Sequence, residues 1–324
     1  MRMIRIFHMR AGCRINRWII LCLFFLTAAL PATGWTETGN RVFLDAQNRK
    51  VLIPDEPSRV AVVNEVDLDA MLALGLRPYG VTMGRGQNRP TRYLGNRTDG
   101  MEILGAFFRP NLEILVAGQP DLILAGGIPK PVLVKQLNTI APTAITYNLG
   151  EDWKTAFSRL AVLFNARDQY AAFMEDYDHR VKKVRQQLEK TGVETVSIVR
   201  WNPKGPAFMQ NNAFASLVLK DLGLGRPLHQ NEPGIAHSHI LSLENLHLID
   251  AQVIFLGTLS GKGEAVRELE QAMVSPAFRA LDAVKTNRVY QVDGSLWTSL
   301  GGPLAAHLII DAVEQHLLGI TAEE

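Results

Sequence analysis

Cysteine is nearly missing from this 324-residue sequence: there are two, Cys13 and Cys22, and none follows residue 34. Disulfide frameworks, thiol nucleophiles, iron–sulfur clusters and cysteine-bound zinc are therefore excluded from the rest of the chain. Long apolar runs are just as scarce. The stretch from Trp18 to Leu30 is apolar but for Thr27, and no later window approaches the roughly 18 residues that a membrane-spanning helix needs. Catalytic signatures are also missing: there is no Gly-x-Ser-x-Gly, no phosphate-cradling Gly-x-x-x-x-Gly-Lys and no His-Glu-x-x-His, so the chain reads as something other than an enzyme. Finally, the folded part has no excess of positive charge. The formal net charge is +2, but residues 1–34 carry Arg2, Arg5, Arg10, Arg14 and Arg17 and no Lys, Asp or Glu. What remains is 29 basic against 32 acidic side chains, a net charge of −3. A nucleic-acid binder would concentrate positive charge in its folded domain, and that class is excluded.

What is present begins with an export signal. Five arginines precede a thirteen-residue apolar run, too short to span a bilayer comfortably, and Ala32 and Gly34 fit the small-residue rule for cleavage after Gly34. The mature protein is expected outside the cytoplasm. With 47% hydrophobic and 20% charged residues, it has enough apolar surface to build one or two packed cores.

Past the signal, short β-branched runs alternate with helical patterns. The runs Arg59–Val63, Asp121–Ala125 and Thr143–Tyr147 predict strands, and Asp67–Leu74, Asn111–Val116 and Val132–Ile140 predict helices. A hairpin is expected around Ala46–Asn48, and a long Arg-rich loop from Gly84 to Gly100. From Trp153 to Lys190 there is no Gly or Pro, and Phe157, Leu160, Phe164, Tyr170, Phe173, Tyr177, Val181, Val184 and Leu188 recur at helical spacing. That is one long helix, or two broken near Asn165–Asp168. Alternation then resumes, with strands at Thr195–Trp201, Val253–Gly257 and Val289–Asp293 and helices at Phe214–Leu222, Leu241–His247, Ala265–Met273 and Pro303–Leu317. The fold class is α/β: a signal at 1–34, an N-terminal lobe at 35–152, a connecting helix at 153–191 and a C-terminal lobe at 192–324. A helical connector should limit closure to small lobe movements.

Several stretches, in order, carry a resemblance: Ser58–Val63, Ala70–Val81, Pro110–Leu115 leading to Gln119–Ile123, Ile140–Thr143, Leu241–Leu246 and Ser275–Tyr290. Together they resemble the periplasmic substrate-binding proteins of iron–siderophore ABC importers. The resemblance implies two Rossmann-like lobes joined by a long rigid helix (the class III arrangement) with the ligand in the cleft between them. It also implies a ferric siderophore as ligand, no permanently bound cofactor, no direct metal ligand from the protein, an inner-membrane ABC permease as partner, and a monomer in the periplasm. Haem or cobalamin on the same fold is the alternative, followed by an exported α/β enzyme.

A chelator that already fills the iron's coordination sphere leaves the protein to match outer oxygens, charge and apolar arms, tasks suited to arginine forks and aromatic faces. Candidate ligand-binding residues are Arg85, with Arg89 and Arg92 in the same loop, Arg109, Arg200 and Trp201 at the end of a strand, His237 of a His-Ser-His loop, and Trp297 ahead of the last helix. Hydroxamate receptors of the resembled family place an arginine where this chain has Phe107, and a tyrosine where it has Ile128. The resemblance further implies one permease-docking acid on each lobe, assigned to Asp69 and Glu244.

Overall fold

The computed structural model describes residues 39–128 and 130–320, so the signal expected over residues 1–34 lies outside the described part. A hairpin leads, β1 (Asn40–Leu44) antiparallel to β2 (Lys50–Pro54). Its period of two buries Phe43 and Ile53 and turns Val42, Leu44 and Leu52 outward.

The first lobe follows as β3 (Val60–Val62), α1 (Glu65–Ala73), β4 (Gly80–Val81), β5 (Glu102–Ile103), β6 (Gly105–Ala106), β7 (Arg109–Pro110), α2 (Leu112–Gly118), β8 (Leu122–Leu124), α3 (Pro131–Asn138) and β9 (Thr143–Ala144). Five of these strands form a parallel sheet in the order β5-β4-β3-β8-β9. The order reverses between β3 and β8, and open α/β sheets bind ligands in the crevice beyond the carboxyl ends of their strands at such a point. β3 and β8 are buried along their whole length, as parallel strands covered on both faces must be. The Gly84–Gly100 stretch is not entirely loop: Arg92–Thr98 forms 3-10 turns.

The connector is two helices, α4 (Trp153–Leu163) and α5 (Arg167–Leu188). The break is at Asn165, which takes the left-handed conformation (φ 53°) that asparagine tolerates best after glycine. Aromatic side chains close the angle between them, with the Phe157 ring 5.1 Å from Tyr170 and 5.3 Å from Phe173.

The second lobe comprises β10 (Val196–Asn202), β11 (Gly205–Phe208), α6 (Phe214–Asp221), β12 (Val253–Gly257), α7 (Glu264–Met273), α8 (Pro276–Arg279), α9 (Asp282–Lys285), β13 (Val289–Gln291), α10 (Gly294–Trp297) and α11 (Pro303–Val313). Its sheet runs β11-β10-β12-β13, parallel except for β11, an edge strand that sequence reading missed. The helix expected at Leu241–His247 is a pair of 3-10 turns over Leu243–Ile249.

One apolar core runs through lobe, connector and lobe. It includes Leu68 and Met71 of α1, Phe157 of α4, Tyr177 of α5, Ile198 of β10 and Ile309 and Ile310 of α11. α11 packs directly on α1, so the last helix of the chain covers the first. A polar clamp ties the lobes a second time. Arg92 pairs with both oxygens of Asp293 and donates to the carbonyls of Leu259 and Thr258 at 2.9 and 3.3 Å. Its guanidinium is thereby used up in holding the lobes together, and it does not serve as a free basic lip. Among the described residues, no helix is long and apolar enough to cross a membrane.

Candidate functional site

Between the lobes lies a cavity of about 410 Å³, walled by segments that follow strand ends in both sheets. From the first lobe come Arg85 after β4, Phe107 and Phe108 in the β6–β7 turn, and Tyr147 and Asn148 after β9; Trp153 opens α4. The second lobe adds Met209 and Asn212 after β11, Phe214 of α6, His237, and Thr298 to Gly301 after α10. The wall is largely apolar and carries the rings of Phe107, Phe108, Tyr147, Trp153 and Phe214, with a few polar groups spaced around it, as small-molecule sites generally are. Paired glycines make the far wall close. A Cβ on Gly301 would sit 2.3 Å from the Phe214 ring, and one on Gly302 would sit 2.8 Å from the Asp69 carboxylate.

Charge in the cavity is unbalanced. Glu151 lines it but is committed to an ion pair with Arg159 at 2.7 Å. Arg85 has its guanidinium 5.9 Å from the centre of the Phe107 ring, a cation–π geometry. Arg200 is 95% buried, donates to the carbonyl of Thr298 at 3.2 Å, and leaves its Nε without a partner. Burial, and then the like charge of Arg85, lower the Arg200 guanidinium to about 10. Arg85 in the wall, with the buried Arg200 behind it, gives the cavity a positive potential suited to an anion. Unpartnered polar atoms on Tyr147 (Oη), Trp153 (Nε1) and Asn212 (Oδ1) add hydrogen-bonding capacity along the same wall.

Behind this wall stands α1, buried on every side, with three acids at its start. Asn64 caps it by accepting from the Asp67 N–H at 2.8 Å. Asp67 accepts from Thr146, Gly126 and Asn64, and Glu65 from the Ser299 hydroxyl at 2.5 Å. Asp69 receives the N–H groups of Leu304 and Ala305 at 2.7 and 3.0 Å and the Tyr93 hydroxyl at 3.0 Å. An acid of the first lobe thus caps the helix that ends the second, favourable also for the helix dipole.

Burial raises the Asp69 carboxyl to about 6, against these hydrogen bonds, which lower it. The folded state therefore holds this proton where the unfolded chain has released it, and raising the pH across that window favours unfolding. Relative to Asp69→Asn, the wild type should lose about 3 kcal/mol of stability as pH rises from about 4 to above 6. Urea unfolding of both proteins at the two ends of the window measures it.

Several expectations are corrected here. Asp69 is fully buried and cannot present a docking carboxylate. Trp201 follows Arg200 by one residue on β10 and so faces the opposite side of the sheet, packing edge-on to Phe278 in the second lobe's outer core. Trp297 is 1% exposed and stacks on Phe255 at 4.2 Å, leaving the next residues, Thr298 and Ser299, to line the cavity. Arg109 sits exposed on β7, and the turn before it brings Phe107 and Phe108 to the cavity in its stead. Ile128 is buried in the first lobe's core. Arg85 and His237 do line the cavity, with His237 exposed to solvent.

Glu244 is exposed in the first turn after Ser242. The first lobe has a counterpart that sequence reading passed over. Glu113 is exposed in the first turn of α2, after its cap Asn111. The visible signal was the echo of Asn111-Leu-Glu113 in Ser242-Leu-Glu244.

Comparison with known proteins adds the lineage. A family model for periplasmic binding proteins matches residues 60–296. A probable siderophore-binding lipoprotein of Bacillus subtilis, YfiY, is 30% identical over 275 residues, covering 82% of this chain and 84% of the relative. The Fe(3+)-citrate-binding protein YfmC of the same organism is 26% identical over 89% of this chain and 93% of its own. Among solved structures, Staphylococcus aureus SirA complexed with staphyloferrin B superimposes with a TM-score of 0.76 at 22% identity, over 86% of this chain and 98% of that one. At that identity the likeness speaks for the fold.

Proposed function

The chain belongs to the periplasmic binding protein family, and on that premise we propose that it captures a ferric siderophore with anionic, carboxylate-type donors and passes it to an ABC permease. The observation that carries the charge assignment is Arg85, which lines the cavity with no ion-pair partner among the described residues, with the buried Arg200 behind the wall at Thr298 adding positive potential. Relatives named for siderophore and Fe(3+)-citrate binding support the ligand class. Iron enters as cargo inside its chelate. Arg85, Asn148, Asn212 and His237 would address the chelate's outer oxygens, and Phe107, Phe108 and Phe214 its apolar arms. Glu113 and Glu244, one exposed acid on each lobe at matching helix starts, would meet basic side chains of the permease; Glu113 takes the place earlier given to Asp69. The N-terminal signal would deliver the mature protein to the periplasm as a monomer.

The test is a tryptophan-fluorescence titration with ferric citrate, ferric staphyloferrin B, ferri-bacillibactin, ferrioxamine, haemin and cobalamin. Of Trp153, Trp201 and Trp297, only Trp153 lines the cavity, so saturable quenching by a citrate-type complex should largely vanish in Trp153→Phe. Quenching by haemin or cobalamin alone would overturn the ligand class, and silence across the panel would overturn the receptor reading.

A further inference from the structure

Glu65 is the buried acid next to the cavity. It is 3% exposed and touches the wall twice, accepting the Ser299 hydroxyl on Oε1 and the Arg85 N–H at 3.4 Å on Oε2. Both donors belong to residues that line the cavity. Nothing in the proposed capture of a chelate uses this carboxylate, and a fixed negative charge behind an anion site would oppose binding. We propose that Glu65 takes up a proton when an anionic chelate enters, so that the site discards the charge that would repel its cargo. The proposal rests on the reading of the cavity as an anion site.

The groups facing Glu65 bear this out. Arg85 is the positive charge acting on it, while Tyr93 and Tyr147 are hydroxyls held well above their ordinary range and silent near neutrality. On its own helix stand Asp67 and Asp69, whose hydrogen bonds lie within the fold and outside the cavity wall. Burial already lifts the Glu65 carboxyl to about 7, held down by Ser299 and Arg85. A ligand oxygen on Arg85 spends the potential that keeps Glu65 ionised, and a filled cavity removes nearby water; each change favours the neutral acid. The balance is one proton from the buffer to a Glu65 oxygen. The neutral acid then donates to Ser299 Oγ, and the Ser299 hydroxyl hydrogen is free to turn to the chelate.

Linkage sets the sign. Where the complex holds a proton that the free site lacks, affinity falls as pH rises, by up to about tenfold per pH unit above about 7, and it flattens below, where the free site is already protonated. Calorimetry with ferric staphyloferrin B, run near pH 8 in phosphate and in Tris, should report uptake of a large fraction of a proton by the wild type. Glu65→Gln should bind with that uptake gone and with a flatter pH profile, the chelate's own titration cancelling between the two proteins. Ser299→Ala removes a bond that keeps Glu65 ionised and should move the pH midpoint upward. Equal uptake in wild type and Glu65→Gln, or an unmoved midpoint in Ser299→Ala, would overturn the coupling while leaving the receptor reading intact. Failure of the wild type to bind any ferric complex in the panel would overturn both.

Discussion

Arg85→Ala is expected to weaken binding of a ferric citrate-type complex by roughly 100-fold or more, since charge-assisted hydrogen bonds are worth about 1.5–3 kcal/mol each and this side chain can make two. Arg85→Lys should recover only part of the loss, because an ammonium supplies a charge without the planar fork. Among the described residues the Arg85 guanidinium makes no hydrogen bond or ion pair; it lies over the Phe107 ring and acts on Glu65 only through space, so the fold depends little on it. The variant should therefore unfold at the wild-type urea concentration, which separates lost affinity from lost structure. Fluorescence titration of both variants with ferric staphyloferrin B, repeated in higher salt, measures the effect. Unchanged affinity in Arg85→Ala would remove the charge argument and leave the cavity as an aromatic pocket for a neutral chelate.

The second large effect concerns hand-over. Paired substitution of Glu113 and Glu244 by alanine should leave chelate affinity within about twofold of wild type, since surface substitutions rarely reach a distant site. If the two acids dock the permease as proposed, uptake of labelled iron by cells that depend on this protein should fall by more than about tenfold, because each acid lost would leave a cation of the partner unpaired. Each single variant should show a partial loss. Wild-type uptake by the double variant would dismiss the two acids as ordinary helix-start carboxylates.

Much of the architecture was readable because it depends on patterns several residues long. The buried run at Val60, the stop at Gly75 and the aromatic spacing from Phe157 to Leu188 each repeat a signal that one exception cannot erase. β11 was hidden for the opposite reason. It is four residues of an antiparallel edge, and Gly205 at its start holds a φ of 125° beneath the Leu241 carbonyl, which reads as a turn. Site residues suffered from parity. Arg200 and Trp201 are neighbours in sequence and opposite in direction, and Trp297 and Ser299 differ by two positions and by which side of the wall they occupy. Topology says which strand ends face the cleft without saying which of two adjacent side chains does. Glu65 and Asp69 were unreadable as buried acids because the other lobe covers them with residues more than 230 positions away, and Asp67 because Gly126 and Thr146, far along the first lobe, satisfy it.

The packing of α11 on α1 also governs how the molecule comes into being. The face of α1 that meets α11, and the carboxylate of Asp69, stay uncovered until residues 303–313 have been made. A ribosome-bound chain lacking them has an unfinished first lobe, however long it waits. The first lobe is thus a unit only in the folded whole, and the pairing of α1 with α11 is the long-range step on which both lobes depend.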